Sequence, residues 1–301
     1  MGKEHWLALS SVPGIGGVTA RRLIERFGNV EAVFDAAEEE LLQVPRITQE
    51  TVARLRAVSL DALEAELASL SGDNLDIVTW DDDDYPANLR SLNDAPPLLF
   101  VQGDLRPGDA QAVAIVGTRE PSGQKHAFAE WLAAELAGRG LTIVSGLALG
   151  IDSAAHRGAL QAAGGGRTLA VLGSGLRVIH PRENVPLAEE IARSGALLSE
   201  VHPDTSPRGP NLMARDRIIS GLSRAVIVIE AGDKSGSLDT AAKARHQGRP
   251  LFAVPGSPGT EALLAAGAER LDTKALDLDC LSQRIRLSTV RERETQLSLW
   301  E

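Results

Sequence analysis

The chain has 301 residues, 43% hydrophobic and 24% charged, a balance ordinary for a soluble globular protein with room for one large domain and a smaller one. Its one cysteine, Cys280, excludes a disulfide framework and fits a reducing compartment, and no apolar run is long enough to span a bilayer. A net charge of −10 argues against nucleic-acid binding by the surface as a whole, although a local basic groove still acts within a screening length of roughly 8–10 Å.

The opening MGKEHWLALSSVPG has only a brief apolar stretch, broken by Pro13, and does not read as a signal peptide. A cytoplasmic location without membrane insertion is expected.

Residues 1–75 read as a helical domain. In SVPGIGGVTARRLIERFG, residues Pro13, Gly14, Gly16 and Gly17 suit a tight hairpin, and Val18, Leu23, Ile24 and Phe27 follow on one side of a helix that Gly28 can cap. ELLQVPRITQETVARLR is a looser echo without the glycines. The PGIG hairpin resembles the helix-hairpin-helix modules of DNA-repair proteins, whose glycine amides contact phosphates. Five acidic residues between Glu31 and Glu40 favour packing or protein contacts here over strong DNA binding. Leu60, Leu63, Leu67 and Leu70 mark a further amphipathic helix.

A bridging segment, 76–109, leads into the second domain, 76–272. It offers short strands at 77–79 and 98–101, with Pro86, Pro96 and Pro97 at turns. Asp81 to Asp84 carry oxygen ligands, but four consecutive acids rarely converge on one cation, so a solvated turn is expected.

From about 110 to 271, apolar strands alternate with helical patterns. The stretch VAIVGTREPSGQKHAFAEWLAAELAGRGLTIVSGLALG reads strand, loop, helix, strand: the βαβ unit of a parallel sheet. Strands are expected at 113–116, 142–145, 169–172, 196–199, 225–229 and 251–254. Helices are expected near 124–138, 152–163, 186–193, 214–221, 238–247 and 260–266. This is an α/β fold, an extended Rossmann-like, doubly wound, mostly parallel sheet. Residues 273–301 read as a tail, with Leu297 and Trp300 available to a partner.

Loops at the carboxyl ends of these strands, where open α/β sheets bind ligands, combine glycine with Ser, Thr, Arg or Lys. Glycine admits a close backbone approach, and helix N-termini offer free N–H donors to an anion. Arg119, Arg177, His180, Arg182, Arg208, Arg215, Arg217 and Lys234 would all meet on that rim, which points to a polyanion.

Other chemistries lack their residues. Gly117-Thr118-Arg119-Glu120-Pro121-Ser122-Gly123 is not GxGxxG, and no GxxxxGK[ST] occurs. No histidine–cysteine cluster offers a zinc site, and Ser145 lacks the GxSxG frame. No cofactor, metal or catalytic residue is expected. Asp152 and His156, four apart, present an acid/base pair on one helix face, but a helix-capping Asp152 and an internally bonded His156 are favoured.

Six segments in one order carry a resemblance: VAIVGTR, IVSGLALGIDSAAHRGAL, TLAVLGSGLRVIHPREN, LLSEVHPDTSP, RDRIISGLSRAVIVIEAGDKSGSLDTAAKARHQGRPLFAVPG and LLAAGA. Together they resemble the DNA-processing protein A family (DprA/Smf). The resemblance implies a homodimer that binds single-stranded DNA, protects it and loads RecA onto it during natural transformation and DNA recombination, with no turnover. It assigns DNA contacts to Gly117, Thr118 and Arg119, to Ser145 and Gly146, and to Arg177, Arg182 and Asn184. It adds Arg215 and Arg217, and Lys234, Ser235, Gly236 and Ser237 at a helix N-terminus. Ion pairs to an acid near Asp216 or to Glu200 explain Arg215 and Arg217 equally well.

The resemblance also places the dimer surface near 251–268, where Leu263 and Leu264 fit either an interface or internal packing. Three departures stand out. Asp216 replaces the asparagine usual between the two arginines, His180 replaces a tyrosine, and no room remains for a C-terminal winged-helix-like domain. The competing reading is a nucleoside-monophosphate phosphoribohydrolase-like enzyme. Its PGGxGTxxE segment corresponds to Lys234–Ala241 here, without the catalytic glutamate.

Overall fold

In the computed structural model, which describes residues 2–288, the chain divides into two compact units. One comprises Met1–Tyr85 with Asn93–Val101, the other Pro86–Leu92 and the chain from Gln102 onward. The expected bridge at 76–109 is thus shared between the two units.

The first unit holds helices α1 (Lys3–Ser11), α2 (Gly17–Phe27), α3 (Val30–Asp35), α4 (Glu38–Leu41), α5 (Gln49–Arg56) and α6 (Leu60–Gly72). Their apolar faces bury Trp6, Leu9, Leu23, Val30, Val33 and Leu41. Helix starts are fixed by side-chain caps: Asn29 accepts from the Ala32 amide at 2.8 Å and Thr48 from the Thr51 amide at 3.2 Å. Gly28, with φ +92°, ends α2 as its sequence suggests.

Gly17, which follows the PGIG turn and opens α2, has a packing reason, because a Cβ there would overlap the Ala95 carbonyl oxygen. Strands β1 (Asp76–Thr79) and β2 (Leu98–Gly103) pair antiparallel, Asp76 opposite Val101. The acidic run between them does structural work: Asp81 accepts from the Trp6 indole at 2.7 Å, and Asp82 accepts from the Thr79 amide and hydroxyl at 2.7 and 2.9 Å.

The second unit begins with the short helix α7 (Ala87–Arg90). Its strands are β3 (Ala112–Val116), β4 (Thr142–Ser145), β5 (Thr168–Leu172), β6 (Ala196–Ser199), β7 (Ala225–Val228), β8 (Leu251–Ala253) and β9 (Glu269–Arg270). Between and after them come α8 (Gly123–Gly138), α9 (Ile151–Gln161), α10 (Val185–Ser194), α11 (Gly209–Leu222), α12 (Ser237–His246), α13 (Pro258–Ala265) and α14 (Leu278–Leu287). Every strand expected from the apolar runs is present.

The strands lie in the order β6–β5–β4–β3–β7–β8–β9, parallel throughout. The chain starts in the middle at β3, builds outward to β6, then returns through α11 to β7 on the other side of β3. Connections therefore diverge from the β3–β7 pair, the switch point at which doubly wound sheets open a crevice. β3, β5 and β7 are buried at every residue because helices cover both faces, which is why they read as unbroken apolar runs. Helices α8 and α9 pack closely enough that a Cβ on Gly158 would overlap the Glu130 carbonyl.

Two segments differ from expectation. Helix α11 starts at Gly209 rather than near 214, with Pro210 in its first turn, a position that suits proline's fixed φ and missing N–H. The expected tail includes α14, whose Leu281 and Ile285 sink into the core beside Leu136 and Phe252. Leu297 and Trp300 lie outside the described residues. Among the described residues, no helix is long and apolar enough to cross a membrane.

Truncating Ile285 to alanine removes buried methyl groups and leaves a cavity, and is expected to cost about 2–5 kcal/mol. Urea unfolding checks this: a loss below about 0.5 kcal/mol would mean that α14 rests on the core without contributing to it.

Candidate nucleic-acid interface

The loop after β3 is held by its backbone. The Thr118 amide donates to the Glu230 carbonyl at 2.8 Å, and the Ile151 amide donates to the Thr118 carbonyl at 3.1 Å. The Glu230 carboxylate, at the end of β7, accepts from the Ser122 amide at 2.9 Å. Gly117 is needed for closeness: a Cβ would sit 2.6 Å from Ile151 Cγ1 and 2.9 Å from the Glu230 carbonyl oxygen. Gly150 is needed twice over, since its φ is +77° and a Cβ would meet the Thr118 and Arg119 carbonyl oxygens at 2.5 and 2.6 Å. On this rigid base the Arg119 side chain is exposed and, among the described residues, makes no ion pair.

The facing loop follows β7. Lys234 is exposed and likewise unpaired among the described residues. Ser235 and Ser237 hydroxyls lie 2.9 Å apart, and Gly236, just before α12, supplies no side chain to cap it. An uncapped helix start presents N–H donors and the positive end of the dipole. A Cβ on Gly236 would meet nothing within 4 Å, so the approach is open.

Between these loops lies a cleft of about 590 Å³. It gathers Gly117, Thr118, Arg119, Arg215, Lys234, Ser235, Gly236 and Ser237 from the sequence-derived set. Leu212, Met213, Asp152 and Asp216 complete much of its wall. Met213, 59% exposed, is the large apolar side chain at the mouth. It escapes a sequence reading that begins α11 too late; Pro210 was the available signal.

Six expected contacts lie outside this lining. Ser145 is fully buried, its hydroxyl donating to the Ile115 carbonyl at 2.7 Å, because β4 is an interior strand. Gly146 is buried beneath the Arg215 guanidinium. Asn184 is buried and donates to the Leu147 carbonyl at 2.8 Å, steadying a residue at φ +60°. Arg217 forms a two-pronged ion pair with Glu200 at 2.6 and 3.1 Å, and Arg177 pairs with Asp204 at 3.0 Å. Arg182 is exposed but stands on the neighbouring β5 loop.

Arg215 is buried too, yet lines the cleft floor. One guanidinium nitrogen donates to the Gly146 and Val171 carbonyls at 2.6 Å each, and Nε lies 3.1 Å from Asp216 Oδ1. Asp152, in the first turn of α9, accepts from the Gly146 and Ala148 amides at 3.2 and 3.4 Å. Burial raises the Asp152 carboxyl against the pull of Arg215 and these amides. Burial also pushes the Asp216 carboxyl up to about 7; Arg215 pulls it down, while Asp152 and Asp239 add to the rise.

His156 is no partner for Asp152 in proton transfer. Its Nδ1 meets the Thr168 hydroxyl at 2.7 Å, and burial, with Arg215 and Arg157, drops its pKa to about 3, so the ring is neutral. Among the described residues no cluster of three or more His, Cys, Asp and Glu could hold a metal ion.

The model of the DNA recombination-mediator protein A family matches residues 76–279, and a SAM-like tandem helix-hairpin-helix model matches residues 7–58. Protein Smf of Synechocystis is 38% identical over 265 residues, which cover 86% of this chain and 66% of that relative's length. The X-ray structure of DNA processing protein A from Streptococcus pneumoniae superposes with a TM-score of 0.73 at 34% identity, covering 88% of this chain and 92% of the other. DNA processing protein A from Helicobacter pylori, solved for its single-stranded DNA binding mode, superposes at 0.62 with 33% identity, covering 70% of this chain and 95% of the other.

The raised Asp216 carboxyl has a stability consequence. Below the unfolded-state value both states hold the proton; as pH climbs toward 7 the unfolded chain releases it first, so the folded state loses ground. Asp216→Asn, which cannot titrate, is expected to gain on the wild type by at most about 1.4 kcal/mol per pH unit over that window. Urea unfolding free energies at pH 5 and pH 8 test this: the variant's stability minus the wild type's should rise with pH, and a difference that stays constant or falls refutes it.

Proposed function

The chain belongs to the DNA recombination-mediator protein A family, and we propose that it binds single-stranded DNA by its phosphates in the cleft between the β3 and β7 loops. One observation carries the reading: Arg119 and Lys234, exposed and unpaired among the described residues, flank the uncapped start of α12 at the sheet's switch point. Internal phosphates of a single strand meet cations and backbone amides there, with glycines keeping the approach clear.

The protein acts by binding rather than turnover, protecting the strand and loading RecA onto it in the cytoplasm during transformation and recombination. The family likeness supports these roles. A homodimer formed through α13 agrees with Leu263 and Leu264 being only partly buried. No aromatic side chain lines the cleft among the described residues, so base identity has little to grip and sequence preference is weak. Against a phosphoribohydrolase-like enzyme, Glu230 is occupied with the Ser122 amide and the α12 loop carries no glutamate.

A fluorescent oligo-dT titrated across a salt series tests the proposal. Arg119→Ala and Lys234→Ala are each expected to weaken binding and to reduce the slope of log K against log salt by about 0.7, the value per phosphate contact for single strands. Duplex of equal length should bind more weakly. Binding by both variants with unchanged affinity and slope would place the DNA elsewhere on the protein.

A further inference from the structure

A cleft suited to phosphate would be expected to keep carboxylates at a distance, yet Asp152 and Asp216 form part of its wall. Both face the single buried guanidinium of Arg215, from α9 and from α11 itself. From α12, Asp239 adds a third carboxylate, one oxygen of which is buried without a hydrogen-bond partner among the described residues. Thr240 on the same helix bonds the Asp216 carboxyl, and Lys243 stands 3.9 Å from the other Asp239 oxygen. Arg217, the next cation on α11, is turned away to Glu200.

Arg119 and Lys234 line the rim, each next in sequence to an exposed acid, Glu120 and Asp233. The floor thus holds more negative charge than its one guanidinium balances. Asp216 lies directly against the guanidinium, 3.1 Å from its Nε, with its side chain 10% exposed.

We infer that Asp216 sets the anion affinity of this cleft and makes binding proton-linked, a phosphate between Arg119 and Lys234 drawing one proton onto the Asp152–Arg215–Asp216 cluster. The inference rests on the phosphate reading of the cleft. The step is an exchange of charge: solvent supplies the proton, the cluster becomes a balanced carboxylate–guanidinium pair plus a neutral acid, and the incoming anion loses a repulsive neighbour. Linkage makes the effect reciprocal, so whatever binding does to the carboxyl's proton affinity, pH does to binding. Burial already holds the Asp216 carboxyl near neutrality, where a modest further push changes its occupancy. Asp152 and Asp216 share one counter-ion, so the proton belongs to the pair.

Calorimetry of unphosphorylated oligo-dT binding, in buffers of different ionisation heat at pH 7.5, tests this directly. Neither phosphodiesters nor thymine titrate between pH 6 and pH 8. If binding moves the carboxyl by about one pH unit, wild type takes up about half a proton and its affinity falls about fivefold from pH 6 to pH 8. Asp216→Asn should bind with little pH dependence and no uptake from this cluster. Any proton uptake that persists in the variant comes from groups other than Asp216.

Equal uptake and equal pH dependence in the two proteins would overturn the inference while leaving the cleft as the DNA site. Failure of an Asp216→Asn protein that is folded by circular dichroism to bind at any pH, while wild type binds, would make the carboxylate a required contact and would also overturn it. Absence of binding by both proteins at low salt would instead sink the phosphate reading itself.

Discussion

A buried arginine holds the second unit's ligand edge together. Taking a guanidinium out of water is costly, and the cost is met only where every donor has a partner and a counter-charge is near. Arg215 offsets much of that cost by reaching from α11 to the Leu212 carbonyl and to carbonyls at the ends of β4 and β5, with Asp216 on its own helix and Asp152 on α9 close by. Gly146 leaves no room for a side chain between them, since a Cβ there would fall on the guanidinium. Asp152 takes the Gly146 and Ala148 amides, and Asn184 takes the Leu147 carbonyl. Three elements therefore grip one loop, and that loop's Gly150 packs under the backbone carrying Arg119.

This arrangement divides the cations by task. Arg215, Arg217 and Arg177 are committed to carbonyls or carboxylates, so they organise loops. Arg119 and Lys234 extend from loops already fixed by others. A cation available to a ligand must be poorly satisfied by its own protein, and that condition is visible only once the partners are located. The same logic makes an overall charge of −10 compatible with a polyanion site. At physiological salt a phosphate senses mainly charges within roughly 8 Å, and the cleft mouth presents the unpaired ones.

The acidic floor beneath a basic rim gives the cleft a gradient of potential along its depth. Negative charge is opposed most where Asp152 and Asp216 reside and least beside Arg119 and Lys234. Met213 and Leu212 on the intervening wall supply apolar contact without hydrogen-bond readout. Such a surface suits a chain of repeating anions whose bases differ.

Periodicity and composition determined the architecture. Unbroken apolar runs such as AVAIV and TLAVL can be satisfied only by burial on both faces, and their alternation with helical patterns leaves a doubly wound parallel sheet as the economical solution. Glycine-rich strand ends pointed to one edge of the sheet: Gly117-Thr118-Arg119 directly follows β3, and Lys234–Ser237 lies in the loop between β7 and α12. Tertiary structure alone decided which residues of that edge face solvent. Ser145, Asn184 and Arg217 sit in equally suggestive motifs but are consumed by carbonyls and by Glu200, partners 17 to 37 residues away in the chain. The docking of α14 was likewise invisible, since its two core residues, Leu281 and Ile285, are separated by polar ones and join a core whose residues come from distant elements, with α14 packed against α8. A side chain's role depends on what surrounds it in space, and local sequence does not encode distances between strands that meet only after the sheet has formed.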